Sequence, residues 1–283
     1  MSSALTITEY TDPACPFAWS AEPSRRRLRW LYGDQLEWRP RMVGLSEHAG
    51  EYEERGFTPE RLSASLARLA HAHGMPMDTS RRPRMAATVP ACRAVVATRL
   101  HAPDREAAIL RNLRVLHFSA NLLDEPATLA VAAQRSQVDA AALEDWLAEP
   151  ETERRLRRDL DEARHPTAES LALAHKLAGT DDGGHRYTCP SYEIVRTADG
   201  ASLSVPGFQP TGAYEVAIAN LGPQLSRRAA PDDVAEVLDW AGEPLASAEV
   251  AAVCEIDLDD ARERLGRVAV EEHIGHDGLW SLN

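Results

Sequence analysis

Cys15 is the residue with the clearest chemical prospects. It stands in Asp12-Pro13-Ala14-Cys15-Pro16-Phe17-Ala18-Trp19, directly after the apolar run Leu5 to Tyr10. A cysteine at a strand-to-helix corner faces the unpaired N–H groups of the first helical turn and the positive end of the helix dipole. Both favour the thiolate, the form that attacks. The usual redox pair C-x-x-C is absent, because the fourth position is Ala18. No disulfide can close within the motif, so a mixed disulfide on Cys15 needs a second thiol from elsewhere for its release. Pro16, Phe17 and Trp19 suit an apolar substrate surface at the sulfur and are substrate-binding candidates. Asp12 reads either as a group that tunes or relays protons to Cys15, and so contacts the reacting centre, or as a plain Asp-Pro turn.

The elements that must position this corner follow from the apolar periodicity. Leu5 to Thr11 reads as a first strand, Cys15 to about Leu31 as a helix kinked at Pro23, and Leu36 to Val43 as a second strand. From about 58 to 178 the pattern is helical. Thr58-Pro59 opens one helix with a cap and a first-turn proline, and Gly74 ends it. Further helices are expected over Val89 to Leu100, Asp104 to Phe118, Pro126 to Ser136, Ala140 to Ala148, Glu151 to Arg164 and Thr167 to Leu177. Strand signals return after Gly183-Gly184, with Thr188 to Val195 and Leu203 to Val205, and a helix over Thr211 to Leu221 follows. Strand, helix, strand, helical block, two strands and a helix is the order of a split α/β unit whose long crossover carries the helices.

Asp12-Pro13-Ala14-Cys15-Pro16, Trp38 to Leu45, Thr188-Cys189-Pro190-Ser191 with Tyr192 to Val195, and Gly207-Phe208-Gln209 together carry a family likeness. The chain resembles DsbA-type thioredoxin-fold proteins, of the cytoplasmic branch that holds 2-hydroxychromene-2-carboxylate isomerases, kappa-class glutathione transferases and mycothiol-dependent reductases. The resemblance implies a thioredoxin-like α/β fold with a large helical insertion. It implies that Pro190 is a cis-proline, with Thr188 and Pro190 at the substrate and Cys189 facing the Cys15 sulfur. Cys15 and Cys189 are then the catalytic pair, and disulfide formation between them and joint binding of a metal or cluster are both left open. The implied co-substrate is a low-molecular-weight thiol, mycothiol or glutathione, with no tightly bound cofactor. One lysine, Lys176, among 31 basic residues suggests a GC-rich coding sequence, which in an actinobacterium favours mycothiol.

At 283 residues, with 44% hydrophobic and 27% charged content, the chain can bury a large core. No run of about eighteen apolar residues occurs, and Met1-Ser2-Ser3-Ala4 does not look like a signal peptide, so the cytoplasm is expected, with no membrane partner. Four scattered cysteines are not a disulfide framework there. The net charge of −13 is uneven: from Ala229 onward there are fourteen acids and three arginines, a net of −11. This places a thioredoxin-like domain at 1–45 and 183–228, a helical insertion at 46–182, and an acidic, winged-helix-like C-terminal domain at 229–283. In that last unit helices are expected over Pro231 to Ala241, from a Ser247 cap to about Cys254, and from Asp257 to Arg267, then a hairpin over Val270 to Leu282 turning at Asp277-Gly278. Its charge repels phosphates, so no nucleic acid is expected, and a packing, dimerising or cleft-covering role is favoured. Homodimerisation is left open.

Cys92 and Cys254 read as helix-core packing. His71 and His73 are too close in sequence to ligate together from one helix, no zinc spacing or phosphate-binding loop occurs, and His117, next to Phe118, reads as a core or surface histidine in preference to a polar group under the helical lid. The expected function is therefore that of a thiol enzyme acting through Cys15 on a disulfide or small molecule, by thiol–disulfide exchange, thiol transfer or thiol-assisted isomerisation. The competing readings are a catalytically retired binding protein and a metal or cluster carrier through Cys15 and Cys189.

Overall fold

The computed structural model describes residues 3–282, so positions 1, 2 and 283 of the expected domains lie outside the described residues. Strand β1 (Leu5–Thr11) leads into helices α1 (Pro16–Ser20) and α2 (Glu22–Tyr32), and β2 (Leu36–Met42) follows. The expected single helix is thus two, broken at Ala21 ahead of Pro23, which has no N–H to carry the hydrogen-bond ladder back to Trp19 and sits instead in the first turn of α2. A helical block follows: α3 (Gly50–Glu54), α4 (Pro59–His73), α5 (Val89–His101), α6 (Glu106–Phe118), α7 (Pro126–Arg135), α8 (Ala140–Leu147), α9 (Pro150–Ala163) and α10 (Ala168–Leu171). In α4 the Thr58 side chain accepts from the Arg61 amide and Gly74 takes the left-handed conformation, as the sequence implied. The helix expected over Thr167 to Leu177 stops at Leu171, where exposed Leu171 and Leu173 give it no apolar face to bury.

A two-stranded ribbon, β3 (Ala178–Gly179) with β4 (His185–Arg186), precedes β5 (Ser191–Arg196), β6 (Ser202–Val205) and α11 (Thr211–Leu221). The main sheet has the order β2-β1-β5-β6. β1 and β2 run parallel, with Leu5 beside Leu36, whereas β5 pairs antiparallel with both β1 and β6. This is a thioredoxin-like mixed sheet, and its long crossover carries the helical block.

The last segment contains α12 (Val234–Ala241), β7 (Leu245–Ala246), α13 (Ser247–Cys254), α14 (Leu258–Val268), β8 (Ala269–Ile274) and β9 (Asp277–Leu282), its strands ordered β7-β9-β8. The hairpin turns at Gly275-His276, not at Asp277-Gly278, which open β9. Gly275 has φ 65°, and a Cβ there would stand 2.0 Å from the Met77 carbonyl oxygen. Ser247 lies inside α13 instead of capping it, because its hydroxyl donates to buried Asp277.

The tail shares the core of the sheet. Val237, Val250, Val253, Leu265 and Trp280 belong to the same buried cluster as Leu5, Ile7, Leu28 and Ile194. Beneath it lies a buried ion network. Glu249 of α13 accepts from Arg111 of α6 at 2.6 Å, Arg26 of α2 bonds Glu243 at 2.8 Å, and Arg114 reaches Glu9 at 3.1 Å as well as Glu22. Among the described residues, no helix is long and apolar enough to cross a membrane.

Candidate functional site

The corner that carries Cys15 is built by Asp12. Its Oδ1 accepts from the Ala14 amide at 2.9 Å, while its Oδ2 accepts from the Leu45 amide at 3.0 Å and the Thr88 hydroxyl at 2.8 Å. The Cys92 thiol also donates to Oδ2. One carboxyl group thereby ties the loop to the exit of β2 and to the start of α5. Burial pushes the Asp12 carboxyl up, and these four donors act against it. Cys15 then caps α1 in an extended conformation, φ −75° and ψ 116°, and its carbonyl accepts from the Trp19 amide at 3.0 Å.

Cys189 meets this corner from the segment that leads into β5, joined to Pro190 by a cis peptide bond. The Cys15 sulfur lies 3.3 Å from the Cys189 carbonyl oxygen, although the residues are 174 positions apart. Both thiols are free and buried, each with 6% of its surface exposed. Their protonation is opposed. The Cys189 side chain hydrogen-bonds the Cys15 sulfur and holds its pKa below the ordinary thiol value; burial resists this, and the Ala18 and Phe17 amides assist it. Burial pushes the Cys189 thiol well up, and the neighbouring Cys15 charge pushes it further. The two thiols are thereby set apart: Cys15 gives up its proton before Cys189 does.

A cavity of about 550 Å³ opens beside the corner, with Ala14, Pro16 and Phe17 on its wall. Phe17 is 43% exposed and its ring lies 6.0 Å from that of Phe208. Trp19 is elsewhere: fully buried, it stacks on Phe118 at 5.4 Å and donates from Nε1 to the Pro76 carbonyl at 2.9 Å. Its role is to hold the helix, which corrects its expected place at the substrate. Asp12, also expected there, is fully buried with both oxygens engaged, so it braces the corner from behind. Thr188 donates to the Lys176 carbonyl at 2.8 Å, and Pro190 is buried next to Cys189.

Three cavity residues were not singled out from sequence as site residues: Tyr52 of α3, Arg82 and His117. Burial, with Asp12 and the sulfurs nearby, pushes the Tyr52 hydroxyl up. Arg82 and His117 are in contact, with Arg82 Nη1 3.1 Å from His117 Nδ1 and Nη2 donating to the His117 carbonyl at 2.5 Å. Nothing local marks this pair, since it joins residues 35 positions apart. Among the described residues, no group of three or more His, Cys, Asp or Glu could hold a metal ion, and two sulfurs are half of a structural zinc set.

The sequence profile of the family described as the DSBA-like thioredoxin domain matches residues 6–168, more than half of the chain. Solved structures share the fold at low identity. A candidate protein disulfide isomerase from Nitrosomonas europaea superposes with a TM-score of 0.58 and 15% identity, over 78% of this chain and 99% of that one. The cytosolic disulfide reductase DsbM from Pseudomonas aeruginosa gives 0.53 and 17%, over 77% of this chain and 98% of that one. DsbM with GSH gives 0.51 and 18%, over the same shares. No curated protein matches the chain.

Proposed function

Since the chain belongs to the DSBA-like thioredoxin domain family, we propose that it is a thiol–disulfide oxidoreductase in which Cys15 is the nucleophile and Cys189 the resolving thiol. In the first step the Cys15 thiolate attacks one sulfur of a substrate disulfide. A Cys15–substrate bond forms, the substrate S–S bond breaks, and the other half leaves as a thiolate that takes up a proton. Burial still holds the Cys189 thiol up, but the Cys15 charge that pushed it further has then gone, so its pKa falls and its proton passes to the departing substrate thiolate. The Cys189 thiolate attacks the Cys15 sulfur, releases the second substrate half and leaves a Cys15–Cys189 disulfide. Substrate gains two electrons and the protein loses two. Two molecules of a low-molecular-weight thiol restore the reduced pair and depart as their own disulfide. A glutathione-like thiol is favoured for this role by the likeness to DsbM, solved with GSH, and mycothiol serves the same chemistry.

The observation that carries this reading is the approach of the two sulfur-bearing residues across the sheet, with Ala18 in the position of the missing motif cysteine. The test is peptide mapping without reduction after treatment with one equivalent of oxidised glutathione. A peptide linking Cys15 to Cys189, with Cys92 and Cys254 unmodified, is the expected result. A glutathionylated Cys15 that persists beside a free Cys189 would rule out the resolving role.

A further inference from the structure

The cavity beside Cys15 is acid-free in a chain of net charge −13. Its walls are apolar, with Leu62, Leu69 and Met85 facing Phe17 and Phe57, and four arginines reach it: Arg55, Arg68, Arg82 and Arg186. Three of these have no carboxylate partner among the described residues. Arg68 donates to the Ser65 hydroxyl and Arg186 to the Tyr187 carbonyl. Arg55 pairs only loosely with Glu51, at 3.8 Å.

Arg82 is the exceptional one. It is 3% exposed, and all its hydrogen bonds go to His117, while Nε has no partner. Asp78, the acid nearest in effect, caps the Ser80 amide. Burial draws the Arg82 guanidinium down to about 10, which leaves it charged at neutral pH. His117, 6% exposed, supplies no balancing charge: burial and Arg82 both hold its imidazole neutral, and protonation would only add a second cation. The other buried arginines among the described residues are matched: Arg25, Arg26, Arg111 and Arg114 face Glu9, Glu22, Glu243 and Glu249, and Arg27 pairs with Glu215 and Glu255. A buried cation without a counter-ion is costly, and here it lies on the wall of a cavity of ligand size.

The geometry points to Arg82 and His117 as the anchor for an anionic group on an apolar small molecule, which supplies the counter-ion that the chain omits. One imidazole nitrogen accepts from Arg82, so the other is a donor, and the two side chains together present N–H groups to a carboxylate, sulfonate or phosphate. The apolar wall takes the body of the ligand. With no acid in the lining, an α-ammonium group finds no partner, so an apolar monoanion fits this anchor as substrate better than an amino-acid or peptide disulfide does, and the glutathione-like thiol that regenerates the pair does not need the anchor. This deepens the proposed function, on whose reactive sulfur it rests, by naming the class of disulfide or electrophile that reaches Cys15.

Equilibrium binding tests it without requiring any reaction at Cys15. We expect the full-length protein to bind 2-naphthoate about tenfold or more tighter than 2-naphthamide, which has the same shape and no charge. Oxidised glutathione should bind more weakly than naphthoate. Arg82→Gln should bring acid and amide to within about twofold, and Arg82→Lys should restore part of the preference. Equal binding of acid and amide by the unaltered protein overturns the proposal even if no variant folds, as does a preference that survives in folded Arg82→Gln. Tighter binding of oxidised glutathione than of naphthoate overturns it too. Modification of the unaltered protein by uncharged 4,4′-dithiodipyridine, assigned to Cys15 by peptide mapping because Cys254 is partly exposed, reports that sulfur separately, so an inert Cys15 with intact naphthoate binding refutes the enzymatic reading and leaves the anion site standing.

Discussion

Replacing Cys189 with alanine removes the S–H that hydrogen-bonds the Cys15 sulfur while keeping the backbone carbonyl that accepts from the protonated thiol at 3.3 Å. Only the interaction favouring the thiolate is lost. A hydrogen bond to a charged group is worth about 1.5 to 3 kcal/mol, so the Cys15 pKa should rise by about 1 to 2 units at 1.36 kcal/mol per unit. Well below both pKa values the thiolate population falls about 10- to 100-fold. A more basic thiolate is a better nucleophile, and a Brønsted slope of about 0.5 returns roughly 3- to 10-fold of that. The net expectation is an alkylation rate about 3- to 10-fold lower near neutrality, with a plateau rate at high pH that exceeds that of the parent. Stopped-flow reaction with iodoacetamide as a function of pH reads both quantities, and peptide mapping assigns the site. Cys189→Ser, which keeps a hydroxyl donor, should shift the profile less. A Cys15 titration curve that coincides in Cys189→Ala and the parent refutes the coupling and, with it, the asymmetric protonation on which the two-step mechanism depends.

Two further predictions concern stability. Burial alone would raise the Glu22 carboxyl, but Arg25, Arg114 and Arg111 outweigh it and hold the pKa down to about 2. A folded pKa below the unfolded one gives stability that is present above pH 4.5 or so and is lost as pH falls through the folded value, about 3 kcal/mol in all. Denaturant titrations from pH 5 down to pH 2 should therefore show a falling midpoint, and Glu22→Gln should flatten that part of the curve while lowering stability at pH 7 by about 3 to 5 kcal/mol. Unchanged acid sensitivity in Glu22→Gln contradicts this. Gly275→Ala should cost about 2 kcal/mol or more, from positive φ and from the clash of its Cβ with the Met77 carbonyl. A calorimetric melting point within about 1 °C of the parent excludes that contact.

What could be read from sequence was what local chemistry determines. Cys15-Pro16 after an apolar run marks a strand-to-helix corner whatever packs around it, and the Thr58 cap and Gly74 stop need only their own helix. The Cys189 contact was accessible through family resemblance alone, since no local rule joins positions in different halves of the chain. Arg82 escaped notice because a buried arginine looks like a surface one until its surroundings are known, and without it His117 reads as one more core or surface histidine. Trp19 was misplaced for a related reason: an aromatic residue at a reactive corner suits a substrate wall, whereas its partner Phe118 lies on α6. In the tail, charge reports the face turned to water, whereas the apolar positions Val250, Val253, Leu265 and Trp280 show what it packs on.

The dependence of Arg26 on Glu243 and Glu249, and of Arg111 chiefly on Glu249, bears on the order in which the protein matures. On the ribosome those two cations are made first, and their counter-ions follow 217 positions later for Arg26 and 138 positions later for Arg111. Until the tail clears the exit tunnel, the sheet can close only over unbalanced charge, so the reactive corner should be assembled after translation rather than during it. Nascent chains stalled before residue 243 should accordingly be cut readily by protease, and chains released past Leu282 should resist.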